Sequence, residues 1–238
     1  MNGKAFLYGV LLQFKLDIRS KTMLVTCYLV PLVFFFFMSG IFLSVDPAAA
    51  ETLIPSMSVF VVTMSALIGL PPSLAEVYGG EVKKVYRANG VPLALGVVTQ
   101  FLSSFLHTFL SCLVVFFAAP LVFEAALPAD LPLYFCSLAA LLCVTLAAGC
   151  VLGLAIRSTA KLTMAAMIIF LPSVMLSGIM FPATMLPPFL QYAAYAFPAA
   201  IGFQAMTAFA VWHLPVLFAV FIVLCVAVAL LLRAKGRN

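Results

Sequence analysis

The chain has 238 residues, of which 66% are hydrophobic and 8% charged, and its formal charge is +5. A soluble domain runs at about 45–50% apolar and about 25% charged, so a single globule of this size could not hide this much apolar surface. A soluble globule is excluded, and the composition predicts an all-α integral membrane protein. The positive balance does not indicate nucleic acid. Lys and Arg fall in small groups between apolar runs, not on one basic face.

The first 22 residues precede any span. Leu7, Val10, Leu11, Phe14 and Ile18 recur at helical spacing, while Lys4, Lys15 and Arg19 gather on another face. This predicts an amphipathic helix over 1–22 lying in the membrane interface. A helix rises about 1.5 Å per residue and a bilayer core is about 30 Å thick, so about 20 apolar residues cross it. The uncharged gaps then predict six spans, at roughly 23–45, 53–75, 92–123, 131–156, 162–181 and 211–232. An A-x-A site occurs at 48–50, but the apolar run before it exceeds 20 residues, against about 7–15 for a signal core. It reads as a retained span.

Six spans place both termini on one side. All twelve Lys and Arg then share that side, whereas Asp46, Glu51, Glu124 and Asp130 occupy the opposite loops. The positive-inside rule makes the terminal side cytoplasmic.

The stretch 76–91 holds five charged side chains in twelve residues, after span two and around Gly79 and Gly80. The glycines break or free the backbone. Beyond them Tyr78, Val82, Val85 and Tyr86 share one face, with Glu76, Lys83, Lys84 and Arg87 elsewhere. This predicts a short amphipathic helix across the cytoplasmic surface, although a solvated loop obeying the charge rule has the same composition.

Span three carries a polar stripe of Gln100, Ser103, Ser104, His107 and Ser111. It serves either interhelical hydrogen bonding or a pathway or dimer face. On span four, Cys136, Cys143 and Cys150 are spaced by seven, with Ala139, Ala140, Ala147 and Gly153 on or near the same face. That is a small-residue stripe for close helix packing. Between spans five and six, residues 177–204 are apolar yet hold Pro182, Pro187, Pro188 and Pro198. A plain spanning helix does not tolerate this. Short helices dipping into the outer leaflet are expected there.

Catalytic chemistry is not legible. The sequence has no H-E-x-x-H, no G-x-S-x-G and no G-x-x-x-x-G-K-[ST] nucleotide loop, and His107 and His213 are far apart. No metal site is expected. No Asp, Glu, Lys or Arg lies within a predicted span, which weighs against an ion-coupled transporter.

Two motifs carry a resemblance. Glu76, Val77, Tyr78, Gly79, Gly80 and Glu81 followed by VKKVYRANGVP resemble an E-x-E-x-G-T box and its basic run. Tyr78 stands for the second Glu and Glu81 for Thr. LSGIMFPATMLPPFLQYAAYAFP resembles the L-S-G-[IF]-x-F-P segment that follows span five. With the span plan, the chain resembles the permease subunit of type-2 ABC transporters over essentially its whole length.

The resemblance implies a single permease domain over 1–238, made of an interfacial helix at 1–22, a coupling helix at 76–91 and a re-entrant extracellular segment at 177–204. The coupling residues would be Glu76, Tyr78, Gly79, Gly80, Glu81, Lys83, Lys84 and Arg87. Phe181, Pro182, Pro187, Pro188 and Gln191 would form the extracellular gate. It implies a non-catalytic chain in a cell membrane, paired with a second permease half and with separate ATPase subunits that bind ATP and Mg. The apolar interior suggests hydrophobic or amphiphilic cargo. A polysaccharide exporter subunit, and an ATP-independent channel or secondary transporter, are the alternatives.

Overall fold

The computed structural model describes residues 3–79, 85, 86 and 88–237. Among these every regular element is helical. Helix α1 spans Gly3–Arg19. The membrane-length helices are α2 (Lys21–Val45), α3 (Leu53–Gly79), α4 (Leu93–Phe123), α5 (Leu131–Ala155), α6 (Thr159–Leu176) and α9 (His213–Arg237). Two shorter helices lie between the last pair, α7 (Pro188–Ala194) and α8 (Pro198–Thr207). The six-span plan therefore holds.

Boundaries shift for local reasons. Ser20 takes extended geometry and its hydroxyl accepts from the Met23 amide at 3.4 Å, so the predicted 1–22 helix ends at Arg19 and the first span starts at Lys21. Span two runs through Gly79, four residues past its predicted end, so Gly79 does not break the backbone. Span five stops at Leu176 rather than at 181, and Gly178 follows at φ 88°, a conformation that glycine adopts without strain. On the side away from the termini, Asp46 and Asp130 accept from the amides of Ala48 (3.0 Å) and Leu133 (2.9 Å), and the Ala126 amide donates to the Ala50 carbonyl at 3.1 Å. The acids of these loops thus work partly as helix caps.

Helix α3 is the centre of the bundle, with 94% of its membrane window buried. Helix α5 packs against it backbone to backbone. A Cβ on Gly149 would lie 2.1 Å from the Ala66 carbonyl oxygen, and one on Gly153 would lie 2.7 Å from that of Pro71. Only glycine permits this approach. Cys150 is buried beside the contact, whereas Cys143 is half-buried and Cys136 exposed. The closest approach is therefore made by Gly149 and by Gly153, a member of the predicted small-residue stripe, while the cysteines of that stripe pass from buried at Cys150 to exposed at Cys136.

Two π-helical turns interrupt the spans, Val25–Leu29 in α2 and Ser65–Gly69 in α3. They face one another: a Cβ on Gly69 would sit 3.1 Å from both Cys27 Sγ and Thr26 Oγ1. Helix α8 is drawn into the bundle rather than lying on it. Ala199, Ala200, Ile201 and Ala205 are buried, and Gly202 packs on Leu141 of α5.

Candidate functional site

Of the expected coupling residues, Gly80, Glu81, Lys83, Lys84 and Arg87 lie outside the described residues. Glu76 and Gly79 are exposed in the last turns of α3. Tyr78 is not an exposed contact: it is buried, and its hydroxyl donates to the Leu93 carbonyl at the start of α4. Tyr86 packs beside it. A Cβ on Gly96 would meet the Tyr78 hydroxyl at 2.7 Å and Tyr86 Cε2 at 2.9 Å, so the absent side chain makes a seat for two phenol rings on α4. Val85, expected on the inner face, is 56% exposed.

The end of this segment has a defined stop. Val85, Tyr86 and Ala88 are helical, Gly90 adopts φ 64°, and the Val91 amide donates to the Tyr86 carbonyl at 2.8 Å. This is the left-handed glycine cap that terminates a helix. The Asn89 side-chain amide adds a bond to the Val85 carbonyl at 2.9 Å. Among the described residues, Tyr78 at the end of α3 and Tyr86 of this segment therefore meet on the start of α4.

The polar stripe of span three is buried inside this chain. Ser103 Oγ donates to the Asp17 carboxylate at 2.5 Å, and Gln100 Nε2 reaches both of its oxygens at 3.4 Å. Gln13 Nε2, one helical turn before Asp17, donates to it at 2.9 Å. His107 Nδ1 is 2.6 Å from the Tyr28 hydroxyl, and its ring stacks on Phe14 at 4.2 Å. Ser111 Oγ donates to the Cys27 carbonyl at 2.6 Å. Among the described residues, Ser104 Oγ and His107 Nε2 are buried without a hydrogen-bond partner. Four of the five residues thus tie α4 to α1 and α2 by the interhelical hydrogen bonding that such a stripe can make.

Asp17 and Tyr28 were missed by sequence reasoning. One cue existed: Asp17 is the sole acid among the first 45 residues, amid Lys15, Arg19 and Lys21. A carboxylate in such a basic stretch invites a specific partner, because charge-assisted bonds are about twice as strong as neutral ones. The apolar face assigned to the first helix also divides. Val10 and Phe14 turn inward with Asp17, while Leu7 (60%), Leu11 (51%) and Ile18 (44%) remain exposed. The exposed set keeps an apolar face for the membrane interface.

At the opposite end, Phe181, Pro182, Pro187 and Pro188 are exposed and Gln191 is half-buried. Gln191 Nε2 donates to the Leu186 carbonyl at 2.7 Å, closing the proline turn onto α7. Met185, Phe189 and Tyr192 are more than two-thirds exposed, so the turn and α7 present a mainly apolar surface. An exposed apolar patch of this kind marks a protein or lipid contact.

A search of curated proteins finds no match to this chain. The family model described as ABC-2 type transporter matches residues 6–211, which include α1, the segment after α3 and the proline-rich turn. The chain belongs to the ABC-2 type transporter family, as a multi-pass membrane permease component.

Proposed function

We propose that this chain is the membrane subunit of an ATP-driven exporter, working as a dimer with motors carried on a separate ATPase. The observation that carries the reading is the seating of Tyr78 and Tyr86 on Gly96. A segment docked on a motor and fixed to both α3 and α4 passes a rigid displacement to the most buried span. Tyr78, which departs from the family box, then acts from within as an anchor. Glu76, Gly79, Gly80, Glu81, Lys83, Lys84 and Arg87 are left to supply the docking surface, and the Asp17 network carries α1 along with α4.

The distribution of Lys and Arg supports a cytosolic position for this end and both termini. Closure of the motors would tilt α3 and α4 and open the far end, where the exposed turn around Phe181 and Pro187 acts as the extracellular gate. The middle of each span lacks Asp, Glu, Lys and Arg, which suits a hydrophobic or amphiphilic cargo.

The test is co-purification with an ATPase carrying a nucleotide loop, followed by transport in proteoliposomes. Charge reversal of Lys83, Lys84 and Arg87 to Glu is expected to abolish both complex formation and ATP-dependent transport. Intact coupling in that triple variant refutes the docking surface. Transport by the chain alone, without ATP, refutes the exporter reading in favour of a channel.

A further inference from the structure

A cavity of about 260 Å³ lies within the protomer between α3, α5, α6, α8 and α9. Its deep wall is formed by buried residues of these five helices, among them Thr63, Thr145, Ser173, Ile201 and Leu217. Tyr195 and Ala196, on the turn between α7 and α8, are the exposed residues of its lining. Tyr195 is 46% exposed there, with its ring centroid 6.0 Å from that of Trp212. Tyr and Trp together mark the level where hydrocarbon meets water.

We propose that this cavity is a binding site for one alkyl chain ending in a hydroxyl. Three observations select that chemistry. The volume exceeds the roughly 150 Å³ of an apolar cavity that holds a benzene ring, yet falls short of the roughly 300 Å³ at which drug-sized pockets begin. A short chain or chain end fits, and a steroid-sized body does not.

No Asp, Glu, Lys or Arg lines the wall, which excludes a charged group at depth. Of the four side-chain hydroxyls on the lining, that of Tyr195 sits at the exposed edge, and the three at depth have already used their protons within their own helices. Thr63 donates to the Val59 carbonyl (2.7 Å), Ser173 to that of Ile169 (2.6 Å), and Thr145 to that of Leu141. Each retains only acceptor lone pairs. The side chains of the wall therefore favour a ligand that donates a hydrogen bond, an alcohol over the matching ether or ester. The site is built from one protomer, and it stands whether or not the chain exports, dimerises or meets an ATPase. The ligand is a free amphiphilic alcohol entering past Tyr195.

The experiment is photolabelling of the purified full chain with a diazirine-bearing medium-chain alcohol, read by peptide mass spectrometry. Adducts are expected on the α6 and α8 segments that line the cavity, with excess 1-decanol reducing them about tenfold and its methyl ether much less. Ala148→Phe, which fills the cavity from α5, is expected to remove these adducts. Ser173→Ala, a mild change, is expected to leave labelling present while narrowing the preference for alcohol over ether. Adducts confined to exposed α9 residues such as Phe218 and Ile222, or undiminished by 1-decanol, overturn the site.

Discussion

Helices α3 and α9 are both apolar enough to cross a membrane, with mean hydropathy 2.0 and 3.1, yet they occupy opposite situations. Helix α3 has 94% of its membrane window buried, whereas α9 has 6%. The buried helix is the less greasy of the two. It carries Ser56, Ser58, Thr63 and Ser65, all buried, while α9 exposes Phe218, Ile222, Val223 and Val226. In water the relation would be reversed. In a bilayer no hydrophobic force separates inside from outside, so small and hydroxylated residues collect at helix contacts and large apolar ones face lipid.

Substitutions can break or sharpen that contrast. The largest effect is expected at Gly149→Leu, where the new side chain would drive into the Ala66 carbonyl of α3. Overpacking against fixed backbone should cost about 3 kcal/mol or more. It should appear as loss of monodisperse protein on detergent chromatography, and normal yield and melting would show that the α3–α5 contact is looser than described.

Asp17→Leu should come next. It leaves Gln100 and Ser103 buried without their acceptor, for about 1–3 kcal/mol. Protease should then cut the α1–α2 junction faster, and Asp17→Asn, which retains an acceptor, should restore part of the protection. Equal cleavage in all three proteins would mean that the carboxylate does not hold α1.

Tyr134→Phe removes the 2.7 Å bond to Ser58 Oγ of α3. About 0.6–1.7 kcal/mol is expected, the range measured for hydrogen bonds between spans, as a modest drop in melting temperature. Val223→Leu on α9, at a position 67% exposed, should stay within about 0.5 kcal/mol of the parent. A loss as large as that of Tyr134→Phe would place α9 at a protein contact rather than against lipid.

The same contrast explains what was legible in the sequence. The six spans and the segregation of charge were readable because crossing a bilayer needs a contiguous apolar run, which is a local property. The prolines at 182, 187, 188 and 198 marked the interruption between spans five and six for an equally local reason. Which large apolar side chains of a span meet its neighbour was not readable, because such side chains serve both lipid and protein contacts. Phe14 and Leu11 belonged to one predicted stripe, yet one stacks on His107 and the other is half exposed. The polar stripe of α4 was visible by itself, but its partner Asp17 lies 86 positions away from Ser103 and was hidden among bases.

The facing π turns of α2 and α3 bear on how these helices tolerate changes of length. A π turn holds one residue more than the α turn it replaces, and each residue of an α-helix advances the chain by about 100°. Deleting one residue within Val25–Leu29 would let the helix close as plain α without breaking it. Everything before that point would keep its angle to the rest, because the π turn takes up its extra residue within a single turn, so Asp17 would still meet Ser103 and Phe14 would still meet His107. The turn works as a length buffer: it absorbs one residue without changing the angle at which α1 and the start of α2 present themselves to α4.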